Sequence, residues 1–325
     1  MPVHAFVFPG QGSQFVGMGR DIAAAFAAAR EVFQEVDDTL GQKLSKLMFE
    51  GPGEDLTLTE NAQPALMAVS LGVLRVLETE GGFRLRDKAV VAAGHSLGEY
   101  SALAAAGGFS IADAARLLRL RGLAMQRAVP RGAGAMAALI GVDLESARSI
   151  CEEAAPVPET DGAPPGRREV VEPASDNGGG QVVISGDHAA VERAVEVAKA
   201  RGLRRAMLLP VSAPFHCALM EPAAEVMKSA LGATPPGAPA VPLIANVSAA
   251  KATDPDEITA LLIRQVTETV RWRESVETMV ALGVDSFVEL GAGKVLSGLI
   301  RRIAPDAAAV SAATPAEIET VLKNL

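Results

Sequence analysis

Cysteine is nearly absent: Cys151 and Cys217 are the only two in 325 residues. They form no disulfide framework, and no His/Cys cluster has ligand spacing. No metal or redox cofactor is expected, and a reducing cytoplasm is the expected location. Aromatic rings are scarce, with 10 Phe, one Trp and one Tyr. Positive charge is in deficit, 30 Lys and Arg against 39 Asp and Glu, for a formal net charge of −9. A nucleic-acid binder needs a basic surface and often stacking rings, so no nucleic-acid partner is expected. Long apolar runs are missing too. The longest uncharged stretch, 229–250, contains Pro235, Pro236, Pro239 and Pro242, which exclude a spanning helix and leave no membrane role. Residues 1–10 lack a basic segment followed by an apolar one, so no signal peptide is expected.

What is present is a chain 49% hydrophobic, too apolar for disorder. At about 150 residues per domain, its length allows one large domain or two. Residues 3–8 read as a buried strand, followed by the loop Pro9-Gly10-Gln11-Gly12-Ser13-Gln14. Helical patterns cover 21–37 and 61–78, the latter with Pro64 in its first turn. A strand at 88–93 leads to a helix of small residues from Glu99, then a clear helix at 111–127. This alternation argues for an α/β fold with a parallel sheet covered by helices.

The middle of the chain changes order. Strand 134–142, helix 144–154, a Pro-, Gly- and Arg-rich loop at 156–168 and strand 169–173 come first. The turn Asp176-Asn177-Gly178-Gly179-Gly180, strand 181–185, helix 189–201 and strand 204–209 follow. The order βαββαβ is ferredoxin-like and reads as a small subdomain, 128–211, inserted into a core of 1–127 and 212–325. Alternation then resumes with strand 241–247, helix 256–269 opened by Pro255, and strand 286–290. The loop Gly291-Ala292-Gly293-Lys294 leads into a last helical segment.

Gly94-His95-Ser96-Leu97-Gly98 has the form G-x-S-x-G between a strand and a helix. A serine on such a tight turn projects its hydroxyl from the sheet edge, and the following helix N-terminus favours developing negative charge. The bland reading is a glycine turn with an ordinary serine. A nucleophile needs a base, and only four histidines exist. His4 lies in the first strand, His95 adjoins Ser96 and points elsewhere, and His188 opens a helix at the surface. His216 remains, on a loop after a buried strand, where catalytic groups usually sit. No Asp or Glu declares itself as a third member, so the imidazole is expected to be oriented by a carbonyl.

Arg121 stands out by phase. On the helix 111–127, Arg116, Arg119 and Arg127 share one side, while Arg121 falls with Ala114, Leu117, Leu118 and Met125. An arginine on an apolar face either pairs internally, snorkels, or forks onto a substrate carboxylate. Gly10-Gln11-Gly12 fits no nucleotide motif but suits an oxyanion-binding loop, and Gly291–Lys294 is not a Walker sequence either.

Taken together, Gly10-Gln11-Gly12-Ser13-Gln14, Gly94-His95-Ser96-Leu97-Gly98-Glu99-Tyr100, Arg121-Gly122, Gln181-Val182-Val183-Ile184-Ser185-Gly186 and Pro214-Phe215-His216 resemble the malonyl-CoA:acyl carrier protein transacylase family of type II fatty acid synthesis. The resemblance runs in order over nearly the whole chain. It implies an α/β-hydrolase-like core with a ferredoxin-like insert, acting as a monomer on malonyl-CoA and an acyl carrier protein. It implies Ser96 as the acylated nucleophile, His216 as its base, and the amides of Gln11 and Leu97 as the oxyanion hole. Arg121 is implied to bind the malonyl carboxylate, and the Gln265 carbonyl to orient the histidine. Asn177 falls near the cleft, Phe215 crowds branched acyl groups, and Arg205 and Lys294 match basic positions for coenzyme A or carrier phosphates. Three alternatives stand beside this reading. A serine thioesterase would not need Arg121, a stand-alone polyketide acyltransferase would use another carrier, and a non-catalytic carrier-docking module would not need Ser96 and His216 together.

Overall fold

The computed structural model describes residues 2–158 and 166–325, so residues 159–165 of the expected 156–168 loop lie outside the described residues. Strands in chain order are β1 (His4–Phe8), β2 (Ala89–Gly94), β3 (Gly134–Ile140), β4 (Val171–Asp176), β5 (Gln181–Asp187), β6 (Arg205–Leu208), β7 (Leu243–Ile244), β8 (Lys251–Ala252), β9 (Ser286–Leu290) and β10 (Ala308–Ala312). Six form one sheet in the order β10-β9-β1-β2-β7-β8. Its pairs are parallel except β7 with β8.

Parallel strands covered on both faces are apolar throughout, and all five residues of β1 are buried. Period-two alternation splits them. Phe6 and Phe8 enter the core shared with the helices Thr59–Gly81, Ile111–Ala128 and Glu221–Ala233. Ala5 and Val7 face the opposite layer, built on Trp272–Ala281 and Val295–Ile303. Each fully buried Phe of β1 contributes about 1.5–3 kcal/mol.

The other four strands form an antiparallel sheet, β4-β5-β3-β6. Helices Leu144–Ala154 and His188–Ala200 cover one face, over Ala137, Leu139, Val182 and Ile184. Met136 and Val183, on the opposite face, join the core of the large sheet and line a cleft. A parallel bridge from Ser175 to Val270 and a 2.9 Å ion pair from Arg273 to Asp176 tie the small sheet to the large body.

Several expected elements differ. The helix at 21–37 is two helices, Arg20–Ala25 and Ala27–Leu40, because Phe26 is extended, and Arg30 Nη1 donates to the freed Ala23 carbonyl at 2.6 Å. Pro64 stands in the second turn of Thr59–Gly81, not the first. Its missing N–H leaves the Glu60 carbonyl free, and Arg119 Nη1 donates to it at 3.0 Å. The strand at 169–173 runs Val171–Asp176 instead, drawn on by the Val270 bridge. The strand at 241–247 shrinks to Leu243–Ile244, because Asn246 turns its backbone and side chain onto the Ser96 turn. The helix at 256–269 stops at Gln265, whose carbonyl is taken by His216.

Candidate active site

At the end of β2 the chain turns sharply. Ser96 has φ of 54°, in the left-handed region that side chains rarely adopt. The two flanking glycines permit the turn. A Cβ on Gly94 would lie 1.9 Å from the Gly98 carbonyl carbon, and one on Gly98 2.2 Å from the Phe8 oxygen. Asn246 staples the turn from the side: its Oδ1 accepts from the Ser96 N–H at 2.8 Å, and its Nδ2 donates to the Gly94 carbonyl at 2.7 Å. Helix Gly98–Ala105 begins at once. Ser96 lines a cleft of about 430 Å³ between the ends of the parallel strands and the small sheet. A larger open groove of about 960 Å³ runs outside β6, away from any of these groups.

His216 also has positive φ, 59°. Its Nε2 lies 2.7 Å from Ser96 Oγ, and its Nδ1 lies 2.7 Å from the Gln265 main-chain oxygen. A carbonyl only accepts, so Nδ1 carries the proton and Nε2 presents its lone pair to the serine hydroxyl. Burial, with the Arg121 charge adding to it, pushes the imidazole down to about 3 and keeps it neutral at physiological pH. The other histidines bond other partners. His95 shares a 3.0 Å hydrogen bond with Asn177 Oδ1, His4 bonds Ser286 Oγ at 2.9 Å, and His188 pairs with Glu192 at 3.3 Å.

Arg121 is 1% exposed. Its Nη1 donates to Gln63 Oε1 at 2.9 Å, and its Nη2 donates to Gln265 Oε1 at 2.9 Å and to Ser96 Oγ at 3.2 Å. Burial rules out snorkelling. Its direct partners are neutral oxygens, so it is not held in an internal salt bridge. The ring of Tyr100 lies 5.8 Å from the guanidinium carbon. The site therefore holds a cation whose charge no neighbouring carboxylate cancels directly.

Gln11 and Phe215 line the cleft, and so does Asn177. Among the described residues, the backbone N–H groups of Gln11 and Leu97 have no acceptor. Leu97 caps the start of helix Gly98–Ala105, where the peptide dipoles favour an anion. Four expected residues stand outside the cleft lining: Leu97 and Gln265 lie directly behind it, bonded or adjacent to its groups, while Arg205 and Lys294 are at the surface. Arg205 is exposed at the start of the edge strand β6. Lys294 pairs with Glu317 at 2.6 Å, its side chain 65% exposed. Sequence reasoning missed Gln63, Asn246 and Glu99. Asn246 is a polar residue set inside an apolar run, which is the signal that marks it, while Gln63 stands where the apolar stretch of its helix begins. Glu99 is buried with Oε1 accepting from the Asn246 N–H at 2.7 Å and Oε2 accepting from Gln265 Nε2. Burial raises its carboxyl, while the Asn246 and Gln265 hydrogen bonds and the Arg121 charge pull the other way. Among the described residues no three His, Cys, Asp or Glu side chains are placed to hold a metal.

Residues 5–317 match the acyl transferase domain family. The malonyl CoA-acyl carrier protein transacylase of Escherichia coli K12 is 45% identical over 323 residues, spanning 99% of this chain and 100% of that protein. The chain belongs to the malonyl-CoA:acyl carrier protein transacylase family. A solved member, the acyl-carrier-protein S-malonyltransferase from Bartonella henselae, is 55% identical over 99% of both chains, with a TM-score of 0.93. Another transacylase, solved in complex with its type II PKS acyl-carrier protein, is 42% identical over 99% of this chain and 100% of its own, with a TM-score of 0.92.

Proposed function

We propose that this chain transfers the malonyl group of malonyl-CoA to the phosphopantetheine thiol of an acyl carrier protein, through an ester on Ser96. One observation carries the reading. A neutral histidine and a buried guanidinium meet on the same serine oxygen, at 2.7 Å and 3.2 Å. The first makes a nucleophile, and the second selects an acyl group that ends in a carboxylate.

His216 Nε2 takes the Ser96 proton as Oγ attacks the thioester carbonyl. The oxyanion lies between the Gln11 and Leu97 N–H groups, each contributing on the order of 3 kcal/mol to the transition state. The Gln265 carbonyl holds the imidazolium that forms. The proton passes to the coenzyme A sulfur, which leaves. The carrier thiol then gives its proton to His216 and attacks the malonyl ester, and His216 returns that proton to Ser96 Oγ as it leaves, so kinetics are ping-pong. Arg121 pairs with the carboxylate one methylene beyond the acyl carbon, and Phe215 beside the base crowds a branched acyl group. Arg205 and Lys294 are read as phosphate contacts at the rim, outside the cleft itself.

In the same reading the six-stranded body, 1–127 and 212–325, is an α/β-hydrolase-like core. The segment 128–211 is a ferredoxin-like subdomain, supported by the strand order β4-β5-β3-β6. Every group the chemistry needs comes from one chain, in keeping with a cytoplasmic monomer that uses no cofactor. No helix among the described residues is long and apolar enough to cross a membrane.

Intact mass spectrometry after brief mixing with malonyl-CoA tests the proposal. Wild type gains one malonyl group, Ser96→Ala gains none, and holo carrier protein discharges the adduct. Free malonate and coenzyme A accumulating without an adduct would replace the transferase by a thioesterase.

A further inference from the structure

Arg121 poses a problem of charge. A buried guanidinium needs a negative counterpart, yet Gln63 Oε1, Gln265 Oε1 and Ser96 Oγ are all neutral. The nearest carboxyl on its chain of hydrogen bonds is one amide away, and both Glu99 oxygens accept from N–H groups, the arrangement of an ionised carboxylate. Gln265 Oε1 accepts from Arg121 Nη2, while Gln265 Nε2 donates to Glu99 Oε2 and, at 2.9 Å, to the Ser96 carbonyl. The amide thus bridges anion and cation, with one hydrogen on the carboxylate, the other on the Ser96 carbonyl, and its oxygen on the guanidinium.

The two ends of a glutamine amide have nearly the same shape. Reversing this one would set NH2 against guanidinium, donor facing donor, and release Arg121. What fixes the orientation is the set of acceptors on the Nε2 side, and Glu99 carries the only charge among them. Glu99 is locked in turn. It is 1% exposed, and its second oxygen receives the Asn246 N–H. Both oxygens face donors, so a neutral amide at this position would present its own NH2 to one of them.

We propose that Glu99 is a positioning residue for acyl-group selection: through the side-chain amide of Gln265, its carboxylate holds Arg121 beside the nucleophile in the geometry that receives a malonyl carboxylate. This rests on the reading that Arg121 binds that carboxylate. Gln265 serves two groups by separate atoms. Its main-chain oxygen holds the base, and its side chain holds the selector. Glu99 anchors the side chain. A scaffold role for Glu99, through Asn246 and the Ser96 turn, would act on every acyl donor alike.

The test compares initial rates with malonyl-CoA and acetyl-CoA in wild type, Glu99→Gln, Arg121→Ala and the double variant. Loss of one hydrogen bond to a charged group predicts that Glu99→Gln lowers malonyl kcat/KM about tenfold more than acetyl kcat/KM. In the Arg121→Ala background, the same change alters the malonyl-to-acetyl ratio by less than about twofold, because Glu99 acts through Arg121. Equal losses for both donors, or an unchanged ratio, overturn the proposal. If Glu99→Gln does not fold, Gln265→Leu removes the amide and keeps the main-chain oxygen. The same selective loss is expected, and an unchanged ratio overturns it. Arg121→Ala separates the two ideas. If malonyl preference survives that change, the reading of Arg121 fails and Glu99 falls with it. If preference is lost there but kept in Glu99→Gln, only the Glu99 proposal fails.

Discussion

Removing the Arg121 side chain should convert a selective transferase into an indifferent one. In wild type the malonyl carboxylate meets a guanidinium that is 1% exposed and bonded only to neutral oxygens. Breaking a buried ion pair by deleting one partner costs about 3–5 kcal/mol. At about 1.4 kcal/mol per factor of ten, malonyl kcat/KM should fall by about two to three and a half powers of ten in Arg121→Ala. Acetyl carries no carboxylate, so its transfer loses only the 3.2 Å bond from Nη2 to Ser96 Oγ. A bond of that kind contributes about 0.5–1.5 kcal/mol, tenfold at most. The malonyl-to-acetyl ratio should therefore drop by about a hundredfold. Release of coenzyme A in the presence of holo carrier protein gives both rates, and circular dichroism checks that the variant is folded. Parallel losses within about threefold of each other would refute the carboxylate role, because a general collapse of the site treats both donors alike.

Three further outcomes follow from the same geometry. His216 is held down to about 3, and the neutral form is the working base, so malonyl kcat/KM should stay level from pH 7 to 5 and fall only at lower pH. A bend near 6.5 in the pH-rate profile would contradict this. The same shift acts on stability with a definite sign. Below 6.5 the unfolded chain takes up a proton that folded His216 refuses, so this residue's effect is to lower stability as the pH falls. Asn246→Ala should cost about 2 kcal/mol or more of stability, because the Ser96 N–H and the Gly94 carbonyl each lose a buried partner. Urea unfolding reads this directly, and a loss below about 0.5 kcal/mol would show that the turn holds without its staple.

The serine turn was legible because three local signals coincide: an apolar strand, two glycines and a following helix. Arg121 was legible by phase, since a helix of 3.6 residues per turn sets it among Leu117, Leu118 and Met125. His216 emerged because the chain has only four histidines. The supporting groups were not legible in this way. Gln63, Glu99 and Asn246 come from distant segments, and only the fold brings them to one point. Three of the misjudged boundaries share a cause. The helix ending at Gln265, the two-residue β7 and the displaced β4 all stop or shift where backbone atoms leave regular structure to bond the site or the other sheet. Tertiary demand overrode local preference there, and such demand leaves no periodic trace.

The partner of His216 Nδ1 is a main-chain oxygen, and that has a consequence for any genetic dissection of this enzyme. Substitution replaces side chains and leaves the peptide carbonyl in place, so an alanine scan would register Gln265 only for its side chain and pass over the oxygen that holds the base. Reaching it takes an edit of the backbone itself, such as a proline that reshapes the end of the helix or an ester-for-amide replacement that weakens the acceptor. An apparent dyad in a mutational survey can therefore hide a working trio.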